Sequence, residues 1–314
     1  MIPTVCIVLP VYNDWQSLSI LLHRLDHALV GYSVRVLAVD DCPPGRQIPV
    51  STGMLNITEV RVARLLHNVG HQQAIGIGLS YARINMVSDW YVVMDADGED
   101  RAEDVPRLLE QAKASPGTIV FSSRGKRNEG IIFRFSYWCY KLLYWILVGR
   151  VINFGNFSCI PSNLIENIVS LRQISSHYPG SIVYSKLPYS TVQCQRGQRF
   201  AGESRMNIVS LWLHGLSSIS VYSDVVMVRA LIFLIILVCL LSVAGFAVLY
   251  IKLFTKLALP GWATTVILNL VSLMIEILFM NFICVFLFIH ISSQNKNGLP
   301  LDHKNHIYQV ESVS

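Results

Sequence analysis

Short apolar runs and longer amphipathic stretches alternate from the first residues of the chain. Val5 to Leu9 reads as a buried strand ending at Pro10, and Trp15 to Leu29 carries apolar residues at helical spacing. Val34 to Val39 predicts a second strand, closed by Asp40-Asp41, and Cys42 to Pro49 a Pro/Gly-rich loop. Val60 to Leu65 is a third strand, Gly70 to Arg83 a helix, Trp90 to Met94 a fourth strand. Ala102 to Lys113 is a further helix and Thr118 to Phe121 a fifth strand. Strands alternating with helices predict an α/β fold with a mostly parallel sheet. Ligands of such sheets bind outside the carboxyl ends of the strands. Pro10, Asp40-Asp41 and Asp95-Ala-Asp97 all fall at those ends and are expected to line one crevice.

The pattern then changes. Ile131 to Val148 and Met206 to Tyr222 are amphipathic, rich in aromatic and apolar residues, and flanked by basic ones. Such segments suit helices lying in a membrane interface, with packing on the domain core as the competing reading. Ala230 to Ile251 carries no charge, and Trp262 to Ile289 carries one, Glu276. About 20 apolar residues span a bilayer, so both runs read as transmembrane helices. Glu276 is costly against lipid and is expected to face another helix or subunit. The expected organisation is a cytosolic domain over 1–205, an interface helix over 206–225, a transmembrane hairpin over 226–291 and a cytosolic tail over 292–314.

Composition agrees with a membrane protein: 53% of residues are hydrophobic and 14% charged, with a mean hydropathy of +0.47. The start of the chain shows no basic segment followed by an apolar one, so no secretory signal is expected. Seven scattered cysteines without a CxxC pair predict reduced thiols, with neither a disulfide frame nor a zinc site. The net charge of +5 is modest, and its basic residues lie in no known nucleic-acid module. Anionic phosphates and lipid headgroups suit the clusters around Arg124 and Arg199 better.

Asp95 and Asp97 lie two apart after an apolar strand, where side chains share one side. Both carboxylates can converge on one hard divalent cation. Asp-x-Asp alone is weak, since 11 Asp in 314 residues yield roughly 0.4 such triplets by chance. Other motifs join it in order: Val8-Leu-Pro-Val-Tyr-Asn13, Val39-Asp-Asp41, Leu66-His-Asn68-Val-Gly70-His-Gln-Gln-Ala74 and Met94-Asp-Ala-Asp97-Gly-Glu-Asp100. Ser123-Arg124, Gly155-Asn-Phe157 and Arg199-Phe-Ala-Gly-Glu-Ser-Arg205 follow.

Together they resemble the family 2 glycosyltransferases of GT-A fold. Within that family they are similar to the polyprenyl-phosphate sugar transferases, which include dolichyl-phosphate mannose synthases and bactoprenol glucosyltransferases. The resemblance implies a hexosyltransferase that moves a sugar from a UDP- or GDP-sugar to a polyprenyl phosphate, with inversion. It implies a plasma (inner) membrane location with the catalytic domain in the cytosol, a cell-envelope glycan as destination, and a homo-oligomer and a separate flippase as further partners. Pro10, Tyr12, Asn13, Asp40, Asp41 and Asn68 match donor-binding positions, although Asp40 also fits a turn or capping role. Asp95 and Asp97 would bind Mg2+ or Mn2+ on the donor diphosphate. Glu99 is either a third metal ligand, a residue facing the acceptor, or an acid favoured by a helix start. Arg124 and Arg199 match basic residues that approach the phosphates, and Arg134 and Ser136 match positions near the acceptor phosphate. His71 reads as a hydrogen-bonding residue more readily than as a base.

Asn156 stands where the family carries Asp. A lipid monophosphate has a second pKa near 6 and is already largely anionic at pH 7, so it needs no carboxylate base. Gly98-Glu99 for the usual Leu-Gln, Cys42-Pro-Pro-Gly45 for a Gly-Ser-rich loop and Ser158 for Arg are further departures. Two alternatives stay open: transfer to a sugar or lipid hydroxyl, and a non-catalytic membrane subunit that kept the fold.

Overall fold

The computed structural model describes residues 2–42, 54–124, 141–149, 152–201, 215–255, 261–297 and 302–313. They belong to two compact units. The first holds Met1–Lys141, Arg150–Val221 and Leu299–Ser314; the second holds Leu142–Gly149 and Tyr222–Gly298.

The first unit is built on one eight-stranded sheet, ordered β7-β5-β6-β4-β1-β2-β3-β8. Its centre is the parallel set β1 (Thr4–Val11), β2 (Ser33–Asp40), β3 (Ile57–Leu65) and β4 (Trp90–Val93). β1 is a near-continuous apolar run because both of its faces are covered. On one side Val5, Ile7 and Leu9 join the buried faces of α1 (Trp15–Ala28) and α3 (Val105–Ala114). On the other, Cys6 and Val8 meet α2 (His71–Asn85), together with α5 (Ser162–Val169) and α6 (Tyr178–Tyr184). α2 lies so close to the sheet that a Cβ at Gly78 would stand 2.6 Å from Val8 Cγ1 and 2.7 Å from Val39 Cγ2. Only glycine permits that approach.

β5 (Ile119–Arg124) runs parallel to β7 (Tyr189–Cys194) and antiparallel to β6 (Phe154–Pro161), which is also antiparallel to β4. The sheet is therefore mixed, with its parallel core as expected from the alternating pattern. β8 (Ile307–Ser312) adds an antiparallel edge beside β3. Of the segment expected to be a tail, 292–314, residues 292–297 continue the helix Trp262–Asn297, and residues 302–313 belong to the sheet unit. Its His303 is buried, lies edge-on to the Tyr81 ring and hydrogen-bonds Ser80 on α2 at 3.3 Å. Asp26 ties another connection: its carboxylate accepts the N–H groups of Leu55, Asn56 and Ile57 as the chain enters β3. None of the described cysteines is in a disulfide.

The second unit contains most of α4 (residues 141–148) and the long helices α8 (Ser223–Phe254) and α9 (Trp262–Asn297). Both long helices have the length and apolar composition to cross a membrane. α8 buries none of its residues, as expected of a helix whose apolar surface faces lipid. Arg229 on α8 donates to the Ile146 carbonyl at 2.8 Å, satisfying one of the last carbonyls of α4. Leu142, Leu143, Trp145 and Ile146 are exposed. Of the two segments read as interface helices, residues 131–140 and 206–214 lie outside the described residues. The remainder forms α4 and α7 (residues 215–220), and α7 belongs to the sheet unit. Glu276 is exposed on α9 and accepts a hydrogen bond from Ser272 one turn earlier, so among the described residues of this unit no helix covers it.

Candidate functional site

The carboxyl ends of β1, β2 and β4 converge on a cavity of about 340 Å³, large enough for a small ligand. Pro10 and Tyr12 come from the end of β1, where Asn13 takes a left-handed φ of 60° to turn the chain into α1. The end of β2 supplies Asp41, whose Oδ1 accepts the Val69 N–H at 2.7 Å and whose Oδ2 accepts the Gly70 N–H at 2.9 Å. Asn68 Nδ2 closes the loop by donating to the Asp41 carbonyl at 3.1 Å. One carboxylate thus fixes the start of α2 beside the cavity. Burial pushes the Asp41 carboxyl above its usual range, against the pull of those two N–H groups. Asp40 is also raised by burial, is capped by the Cys42 N–H at 3.1 Å, and lies 3.9 Å from Arg64.

Beyond β4, the Asp95–Asp100 turn is tied by its own side chains. The Asp95 N–H donates to Asp100 Oδ2 at 2.9 Å, and the Glu99 N–H donates to Asp97 Oδ1 at 2.9 Å. Gly98 takes φ +92° between them, a conformation that glycine adopts readily. Asp97 Oδ2 receives Arg199 Nη2 at 2.6 Å and Nε at 3.0 Å. Burial and the neighbouring Asp95 charge push Asp97 above the usual carboxylate range, while the Glu99 N–H and Arg199 pull it back. Glu99 turns to Arg196 at 2.7 Å, with Arg199 at 3.7 Å.

His71, in the first turn of α2, lies 3.2 Å from Asp95. Burial alone would lower its pKa, but the Asp95 carboxylate raises it above the ordinary histidine value, helped by Asp100 and Asp97. Its Nε2 is 3.0 Å from Asn156 Nδ2, and Asn156 Oδ1 accepts Gln72 Nε2 at 3.2 Å. Gln72 in turn accepts the Tyr178 N–H at 2.7 Å. Asn156, which stands where the resembled family carries Asp, thus meets His71 at the same Nε2 that faces Asp95.

Pro10, Tyr12, Asp41, Asn68, Asp95, Asp97 and Arg199 are brought together around the cavity, with His71 among them. Asn13, Asp40 and Glu99 stand beside it without lining it. Arg124 ends β5 opposite Cys194 of β7. Arg134 and Ser136 lie outside the described residues. Asp14, which lines the cavity, and the Gln72–Asn156 bond were not anticipated. Asp14 follows directly on the Val-Tyr-Asn motif, so the motif's edge was the available signal.

Asp95 and Asp97 supply hard oxygen donors at the cavity wall. Among the described residues no three His, Cys, Asp or Glu side chains are gathered as a metal cage. That donor set fits Mg2+ or Mn2+, which commonly take one or two carboxylates and complete their shell with substrate phosphates and water.

A family profile described as "Glycosyl transferase family 2" matches residues 6–174. An uncharacterized glycosyltransferase of Bacillus subtilis, YkcC, is 25% identical over 84% of this chain and 82% of its own length. The bactoprenol glucosyl transferase of Shigella phage SfX is 25% identical over 69% of this chain and 73% of its own. A dolichol-phosphate mannosyltransferase of Pyrococcus furiosus is 32% identical over 47% of this chain and 40% of its own.

Proposed function

Because this chain belongs to glycosyl transferase family 2, we propose that it transfers a hexose from a nucleotide sugar to a polyprenyl phosphate of the undecaprenyl type, inverting the anomeric centre. The cavity at the strand ends carries this reading, since Asp95, Asp97 and Arg199 line it together beside Asp41. The two helices long and apolar enough to cross a membrane support a reaction beside lipid, and the proposed location is the cytosolic face of the plasma (inner) membrane. The names of the phage and archaeal relatives support a lipid-phosphate acceptor.

Each residue then has a chemical task. Pro10, Tyr12 and Asn68 shape the nucleoside end, where Asp41 offers its remaining acceptor capacity to base or ribose. Asp95 and Asp97 would hold the divalent cation, Mg2+ or Mn2+, with His71, 3.2 Å away, keeping Asp95 oriented. That cation, when bound, neutralises charge on the leaving diphosphate. Arg199, held to Asp97 through Nε and Nη2, brings its positive charge to the phosphate oxygens, and Arg124 does so from the end of β5. No residue needs to remove a proton from the acceptor, because a phosphate monoester is already anionic at neutral pH. Asn156 in place of a carboxylate suits this acceptor better than a hydroxyl. The product would be a lipid-linked sugar for cell-envelope glycan modification, carried across the membrane by a separate flippase.

The direct test uses the full-length protein in detergent, undecaprenyl phosphate, and a panel of radiolabelled UDP- and GDP-sugars with Mg2+ or Mn2+. One nucleotide sugar is expected to pass label into the organic phase, and EDTA is expected to abolish the transfer. Failure of every donor to label lipid would overturn the assignment.

A further inference from the structure

The segment 195–200 lies as a strap across the Asp97–Glu99 turn. The Gly197 N–H donates to the Glu99 carbonyl at 2.9 Å, and the Phe200 N–H donates to the Asp97 carbonyl at 3.0 Å. Arg101 Nη1 donates to Gln195 Oε1 at 3.0 Å, adding a side-chain tie at the strap's start. The crossing is tight: a Cβ on Gly197 would stand 2.1 Å from the Gly98 carbonyl oxygen. Contact is as close at the other end. A Cβ on Gly98 would meet the Cδ2 and Cε2 atoms of Phe200 at 2.7 Å and Cζ at 2.8 Å. The ring therefore sits where any other side chain at position 98 would begin. Arg24 of α1 covers it, with Cζ 4.6 Å from the ring centroid, and lies 3.7 Å from Glu103. Phe200 also packs, partly buried, against the core on the α1 side of the sheet.

We propose that Phe200 is a positioning residue for the transfer reaction: seated against Gly98 and covered by Arg24, it fixes the strap so that Arg199 stays at the Asp97 edge of the cavity. The inference rests on reading that cavity as the donor site. Arg199 has a long, rotatable side chain, and the strap's backbone bonds to the turn fall on either side of it, at Gly197 and Phe200. The ring supplies what the hydrogen bonds lack, a lateral stop that sets where the backbone at 199 points. It also adds a steric reason for glycine at position 98, beside the left-handed φ of +92° that the residue adopts.

The test is a double-mutant cycle on the full-length protein, reading binding of UDP and of GDP in the presence of Mn2+ by calorimetry, with Tm measured in parallel. R199A sets the scale of loss. F200A is expected to weaken binding of the preferred nucleotide about 10- to 100-fold, the scale of losing one charge-assisted hydrogen bond from the arginine. F200Y, which keeps the ring, should recover most of it. In the R199A background F200A should add little, because the ring acts through the arginine. R24A, a surface change that opens no hole in the core, should weaken binding in the same direction with unchanged Tm. Additive losses in the F200A/R199A double variant, or full binding by F200A, would overturn the proposal while leaving the donor site standing. If the unmodified protein bound neither nucleotide, the reading of the cavity would fail first and the inference with it.

Discussion

Replacing Asp97 by Asn removes one negative charge from the cavity and keeps the side chain's shape. Its effect on stability should be small. The Asp97–Arg199 pair is short, at 2.6 Å, but the side chains keep only 15% and 28% of their exposure, so the cost of burying both charges offsets much of their attraction. A counter-effect opposes even that. Burial and Asp95 raise the Asp97 pKa, so holding the ionised form costs stability at neutral pH, and neutralising it relieves the repulsion. The Asn oxygen can still accept the Glu99 N–H. Tm should therefore move by no more than about 2–4 °C in either direction. Catalysis should suffer far more. Loss of a preorganised group aimed at the developing charge costs about 2.7–4 kcal/mol, or 10²- to 10³-fold in kcat. Activity should collapse in a protein that melts almost normally, as read by label transfer to undecaprenyl phosphate beside differential scanning calorimetry. A D97N rate within a few-fold of the parent, or undiminished transfer in EDTA, would refute the role given to the acidic pair.

Further expectations follow from the same geometry. N156D should leave the transfer rate no higher than before, and, by placing a second carboxylate 3.0 Å from His71, should raise the histidine's pKa further in an NMR titration. The His71–Asp95 pair contributes stability in full below the ordinary histidine pKa of 6.5 and loses it as pH rises through the elevated folded value. H71N should accordingly flatten the denaturation midpoint across that window. Ending the chain at Gly298 removes β8 and the buried His303, and should destabilise the sheet unit by about 3 kcal/mol in chemical denaturation.

Much of this architecture could be read from the chain because its central strands are local and apolar on both faces. β1 to β5 announce themselves as runs such as Val5 to Leu9, and the two long helices by uninterrupted apolar length. β6, β7 and β8 did not. Phe154-Gly-Asn-Phe-Ser-Cys-Ile-Pro161 interrupts its apolar positions with Gly, Asn and Ser, while Tyr189–Cys194 and Ile307–Ser312 are half-exposed edge strands. What makes them strands is a partner distant in sequence, and for β8 that partner, β3, is separated from it by both long helices. The site shows the same division. Asp41, Asp95, Asp97 and Arg199 were legible as motif residues at strand ends or in a basic cluster. The pairing of Arg199 with Asp97, of Asn156 with His71 and of Phe200 with Gly98 is tertiary, and no local spacing encodes it.

The linkage in the lipid product tests the central claim most directly. After transfer to undecaprenyl phosphate, the organic-phase product should release its sugar in mild acid, resist mild base, and show the 31P signal of a phosphodiester. The acid limb of the rate profile should follow the acceptor's second ionisation, near pH 6. A product stable to mild acid, with the sugar joined to a hydroxyl and the lipid monophosphate signal unchanged, would contradict the account.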